Sequence, residues 1–254
     1  MGDTMASARR ACAVAVFLGG VLVDLPVAHA VVRTCGSDAV ANTATVLCAA
    51  PSGPCTATTV TVSSDLEVTD AGCAFDLGGR ALQVQRLFQM TGLGYITVFN
   101  AGDIALTATG SLRSRGDYAV PSGVVDQGGL ISLVSTGTIT LANGASIDVS
   151  GNPGGTITLS AAGADASGVG INLQIGSVLH GIGGSAFIDA PDRFADGATV
   201  ELTATTGAIF DGAAIDVHTA QSQGGELDIN AARGVTIANV VDASGGTDDG
   251  GLVD

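Results

Sequence analysis

The sequence predicts an all-β chain wound as a parallel β-helix, a solenoid of short strands stacked coil upon coil. Three observations predict it. Apolar–polar–apolar triplets recur along the 254 residues, most of them at steps of about 22–27, a period typical of repeat architectures. From Gly128 onward, paired glycines precede the triplets in a single phase. Aromatic residues make up only 4%, with no Trp, against 38 glycines. The core must therefore be narrow and built from aliphatic side chains rather than rings.

Charge and hydropathy remove whole classes of function. The formal net charge is −15 with a pI near 4.1, and all nine basic residues are arginine. Such a chain is repelled by phosphate backbones and anionic lipid heads, so neither a nucleic-acid partner nor a polybasic membrane anchor is expected. A content of 46% hydrophobic and 13% charged residues is the wrong composition for disorder.

The first element is residues 1–30. Arg9 and Arg10 precede an apolar run from Ala11 to Val23, and Ala28-His29-Ala30 offers small residues where a signal peptidase reads. The run is shorter than a helix needs to cross a hydrocarbon core about 30 Å thick, which weighs against the alternative of an N-terminal anchor. A signal peptide is expected, with a mature chain from Val31 that does not insert into membrane. The twin arginines raise a Tat-type route without further support.

Residues 31–59 come next, as a cysteine-containing cap. Cys12 falls in the leader, leaving Cys35, Cys48, Cys55 and Cys73, an even set that predicts two disulfides without choosing among three pairings. A zinc site is the competing reading, but the short C-x₂₋₄-C knuckle is missing. Oxidised cysteines imply a compartment outside the cytoplasm.

Residues 60–254 carry the repeat. Val60-Thr61-Val62, Leu82-Gln83-Val84, Ile104-Ala105-Leu106, Ile131-Ser132-Leu133, Ile157-Thr158-Leu159, Val200-Glu201-Leu202 and Leu227-Asp228-Ile229 are the triplets, each a strand with one face inward. Their steps are about 22, 22, 27, 26, 43, 27 and 26 residues, the last reaching Val253, giving about seven coils. Gly128-Gly129, Gly154-Gly155, Gly224-Gly225 and Gly250-Gly251 stand before strands, and are expected to supply positive φ at sharp corners. Second and third strands follow within a unit, as in Gly137–Leu141 and Ala145–Val149. One such coil buries too little apolar surface to offset its own ordering entropy, so coils must stack. A β-sandwich would also use short strands, but gives no reason for a 26-residue repeat with glycine pairs in one phase.

The pattern from Gly128 to Gly151, GGxIxLxxxGxIxLxxGAxIDVSG, resembles the Gly-rich coils of large secreted bacterial surface proteins, the filamentous-haemagglutinin-like adhesins. The resemblance covers residue 95 onward well and 60–95 loosely. It implies a right-handed parallel β-helix, export to the cell surface, and a structural or adhesive role. Two departures stand out: no Asn-Pro-Asn-Gly motif near the mature N-terminus, and no C-terminal run of alternating membrane strands. Gly250-Gly251-Leu252-Val253-Asp254 starts a coil and stops within it, so the end reads as truncated or uncapped, open to further coils or self-association.

Candidate chemistry is sparse. Asp148, Asp189, Asp216 and Asp242 each follow an apolar residue at matching places, so each is expected to point outward. A stacked row of them is a candidate Ca²⁺ or sugar-hydroxyl site, or simply a solvated face. Asp248 and Asp249 lie in a Gly-rich corner faintly similar to a calcium nonapeptide that works only as an array. The 43-residue step predicts a loop inserted at 161–195, with Asp165, His180, Asp189, Asp192 and Arg193. His180 and His218 are the histidines left after processing, in no metal-ligand spacing. Arg115-Gly116-Asp117 is an RGD tripeptide, a form that arises often by chance.

The functional expectation is an exported structural or adhesive module without catalytic or cofactor-binding residues, its partner a glycan or surface protein. The alternative is a carbohydrate-active β-helix enzyme, a lyase or glycosidase using outward aspartates. Zero Trp, two Tyr and no Lys count against it, since that class usually has aromatic platforms for sugar rings and bases for uronate carboxylates.

Overall fold

The computed structural model describes residues 30–35, 43–48, 55–69, 72–90, 94–116, 127–184, 196–219, 222–246 and 250–254. Within them every named strand pairs in parallel, and the strands fall into three sheets of eight, seven and seven. Sheet 1 contains Val31–Arg33, Leu66–Val68, Leu87–Met90, Ser111–Ser114, Ser146–Asp148, Val178–His180, Ala214–Asp216 and Val241–Asp242. Sheet 2 contains Thr59–Val62, Ala81–Val84, Ile104–Leu106, Ile139–Leu141, Val169–Leu173, Ala208–Asp211 and Val235–Ile237. Sheet 3 contains Cys73–Asp76, Tyr95–Ala101, Leu130–Ser135, Thr156–Ala161, Thr199–Ala204, Glu226–Ala231 and Leu252–Val253. From Cys73 on, the chain visits sheets 3, 2 and 1 in turn, one strand each per coil. The fold is a parallel β-helix.

Period-2 alternation in such short strands sends one set of side chains inward, and parallel pairing stacks like on like. In sheet 1 the inward ladder runs Leu66, Phe88, Leu112, Ile147, Leu179, Ile215 and Val241. In sheet 2 it runs Val60, Leu82, Ile104, Ile139, Ile171, Ile209 and Val235. In sheet 3 it runs Cys73, Ile96, Ile131, Ile157, Val200, Leu227 and Val253. These ladders fill one core that is buried throughout until the last coil. There Val235, Ile237 and Val253 are about half exposed, because nothing described stacks beyond them.

The N-terminal end is closed. A one-turn helix, α1 (Thr43–Val46), brings Val46 and the adjoining Leu47 into the core end, fully buried. The Thr43 hydroxyl donates to the Asp76 carbonyl at 3.2 Å. Two disulfides hold this end, Cys35–Cys73 and Cys48–Cys55. The first ties the segment after Val31–Arg33 to the first strand of sheet 3. Residues 31–33 are themselves a strand of sheet 1, so the cap and the solenoid are continuous. The signal-peptide expectation covers residues 1–30, of which 1–29 lie outside the described residues.

Three expectations are corrected. First, the repeat predicts a single series of triplets, but they belong to two sheets: 60, 82 and 104 begin triplets of sheet 2, whereas 131, 157, 200 and 227 begin triplets of sheet 3. Ile131 stacks on Ile96, not Ile104, and the spacing across that coil is 35 residues, as for the facing hydroxyls of Ser111 and Ser146. The triplets of different sheets look alike because all three obey the same alternation.

Second, the glycine pairs do not use positive φ. That conformation occurs elsewhere, for example at Gly144 and Gly176 in the turns between sheets 2 and 1. At the pairs, Gly250 excepted, the requirement is close approach: a Cβ on Gly128 would strike the Val149 carbonyl, and one on Gly155 the Gly129 carbonyl of the neighbouring coil. Corners pack backbone on backbone.

Third, 161–195 is not one inserted loop. It contains Val169–Leu173 and Val178–His180, regular strands of sheets 2 and 1. The extra length lies in a longer turn at 162–168 and in the connection after His180. Ile171-Asn172-Leu173 is itself an apolar–polar–apolar triplet, stacked in sheet 2 on Ile139-Thr140-Leu141, with a bulge just before it between Val169 and Ile171.

Candidate functional site on the outer face of sheet 1

The outward residues of sheet 1 form a second ladder: Glu67, Gln89, Arg113, Asp148, His180, Asp216 and Asp242. Neighbouring strands lie about 4.8 Å apart, so charged groups here interact coil by coil. Gln89 donates to the Glu67 carboxylate at 3.4 Å. Asp148 comes next, and although it faces outward it is only 9% exposed. Its Oδ2 lies 3.3 Å from Arg115 Nε and 3.9 Å from Arg113 Nε, and its Oδ1 accepts the Ser150 N–H at 3.0 Å. Asp148 is an ion-paired brace rather than an open ligand. Arg115, the first residue of the RGD tripeptide, is thereby turned onto the rod; Asp117 lies outside the described residues.

The rung assigned in sequence to Asp189 is occupied by His180. Asp189, with Asp192 and Arg193, lies outside the described residues. His180 Nδ1 stands 4.0 Å from Asp216 Oδ2. On the other side of the same carboxylate, His218 Nδ1 donates to Asp216 Oδ1. Asp216 and His218 share a face because they are two apart in an extended segment, with Val217 between them buried. Asp242 stacks directly on Asp216. Its carboxyl is held below the usual range, chiefly by the Ser244 hydroxyl donating at 2.7 Å, and further by the Ser244 N–H. One ligand atom each from Asp216, His218 and Asp242 fall within 4.8 Å of one another.

Of the four aspartates expected to form a row, Asp216 and Asp242 come together, Asp148 is taken up by arginines, and Asp189 is not placed. The histidines were the residues missed. The signal was available in Asp216-Val217-His218, where a two-residue spacing puts both side chains on one face of a strand.

Two other features bear on function. Asp165 is a turn-former: its Oδ1 accepts from the Ser167 hydroxyl and from the N–H groups of Ser167 and Val169, and the Ser167 hydroxyl is the main cause that lowers its pKa. Along the glycine corner runs an open groove, with Gly128, Gly129, Gly154 and Gly155 in its lining and the Tyr95 ring beside them. Tyr95 is 39% exposed and packs over Gly72, where a Cβ would strike the ring.

No family model, curated protein or solved structure matches the chain. The two disulfides fit an oxidising compartment, and among the described residues no helix is long and apolar enough to cross a membrane.

Proposed function

We propose that this protein is an exported, non-catalytic structural or adhesive module of a bacterial surface, which presents its acidic outer faces to an extended glycan or to a surface protein. The observation that carries the reading is the in-register outer face: outward side chains repeat rung after rung along a straight ladder, a geometry suited to a polymeric partner lying along the rod. The glycine-floored groove adds a flat backbone surface with one aromatic ring at its edge. Aromatic rings supply apolar contact and a polar tip together, which is what a sugar face and its hydroxyls require. The disulfide-tied end and the leader-like residues 1–30 support passage out of the cytoplasm.

The test is a glycan-array and pectin-panel screen of the purified protein without added metal, scoring retention and the release of reducing ends. Retention without release is expected, and Tyr95→Ala is expected to weaken it roughly two- to tenfold, the equivalent of about 0.5–1.5 kcal/mol for an aromatic contact. Release of reducing ends would instead establish the polysaccharide-cleaving alternative and make Asp216 and Asp242 the first residues to replace.

A further inference from the structure

We propose that Asp216, His218 and Asp242, with His180 as a fourth donor, bind one borderline divalent cation of the Zn²⁺ class on the outer face of sheet 1. The inference stands on the side-chain geometry and is independent of the adhesive reading.

The donor set is the first argument. Both histidines within the described residues, His180 and His218, converge on Asp216 from neighbouring coils. Imidazole with carboxylate is a ligand set suited to Zn²⁺ and its first-row neighbours, whereas Ca²⁺ takes six to eight oxygens. The ion matching these residues is therefore not the Ca²⁺ that a row of aspartates alone suggests.

Charge is the second argument. Asp216 and Asp242 stack as two carboxylates on adjacent strands, and like charges directly opposite one another cost energy without a cation. Two carboxylates carry the charge that a single divalent ion cancels.

The third argument is an unsatisfied atom. His180 Nδ1 is out of contact with water and has no hydrogen-bond partner among the described residues, and it stands 4.0 Å from Asp216 Oδ2. Beyond His180, the next rung is Asp148, already engaged by Arg113 and Arg115, so it does not compete for the ring. Donors around a tetrahedral ion with bonds of roughly 2.1 Å lie about 3.4 Å apart. Ligand atoms of Asp216, His218 and Asp242 already lie within 4.8 Å of one another, and His180 Nδ1 lies 4.0 Å from Asp216 Oδ2.

Calorimetric titration of the intact protein with ZnCl₂, and separately with CaCl₂, tests the proposal. One saturable zinc site per chain is expected, with no saturable calcium site. His218→Ala and Asp216→Asn are each expected to weaken zinc binding at least about tenfold, with far-UV circular dichroism unchanged. The control Glu201→Gln, on the outer face of sheet 3, is expected to bind as the unchanged protein does. Cobalt supplies a readout that needs no variant: visible bands of a nitrogen- and oxygen-ligated low-coordinate ion are expected. A spectrum of hydrated cobalt, the absence of a saturable zinc site, or zinc binding that survives both substitutions would overturn the proposal.

Discussion

Asp211 is the residue that most clearly departs from the logic of its surroundings. Its rung in sheet 2 is apolar on both sides, Leu173 before it and Ile237 after it, and it is fully buried. Oδ1 accepts the Ala213 N–H at 3.1 Å. Oδ2 has no partner among the described residues. Burial raises its pKa to about 6, with the Ala213 bond opposing the rise. The unfolded chain ionises this group near pH 4, so folding stability falls as pH rises from about 4 to about 6 and is level above that. The full deficit is at most about 3 kcal/mol. Denaturant titration of Asp211→Asn beside the unchanged protein should show a gap that opens across this window; a constant gap would mean that Asp211 does not titrate there. Asp148 makes the opposite case. Asp148→Ala leaves two arginines facing each other and is expected to cost about 1–3 kcal/mol, read as a lower denaturation midpoint.

At the scale of the element, corners and strands were legible in the sequence to different degrees. The inward ladders were legible because alternation in a four-residue strand is a direct statement of which side chains face the core. The glycine pairs were legible as corners, but for the wrong physical reason, since backbone contact between coils is a tertiary fact that a single chain segment does not reveal. The two readings of those glycines differ in their consequences. Gly155→Ala places a methyl group against the Gly129 carbonyl, and overpacking of this kind costs typically 1–3 kcal/mol, or several degrees in Tm for a domain of this size. Gly250→Ala meets no atom of the described residues within 4 Å and is expected to shift stability by less than about 0.5 kcal/mol. Thermal denaturation of the pair distinguishes close approach from turn conformation. The Asp216-His218 pairing was equally available from strand alternation. His180 was not, since its rung is fixed only once the coil holding Gly170 is placed.

On the scale of the whole molecule, two disulfides tie the N-terminal end of the described rod. The Cys35–Cys73 link spans 38 residues and Cys48–Cys55 spans 7. By chain entropy the first contributes about 4 kcal/mol and the second about 2.4. Because each coil contacts mainly its neighbours, this loss should appear locally: amide exchange after selective removal of Cys35–Cys73 is expected to quicken in the first coil and leave Ile131–Leu202 protected. The central claim is the stacking register, since every ladder described above, including the one that gathers Asp216, His218 and Asp242, depends on it. Ser111 and Ser146 face each other on adjacent coils, with hydroxyls 2.9 Å apart, and adjacent strands bring Cα atoms within the range that a disulfide bridges. Oxidation of Ser111→Cys/Ser146→Cys should link the two positions, while Ser111→Cys/Thr138→Cys should stay unlinked. Linkage of 111 to 138 instead would restore the 27-residue register and contradict the stacking of these coils.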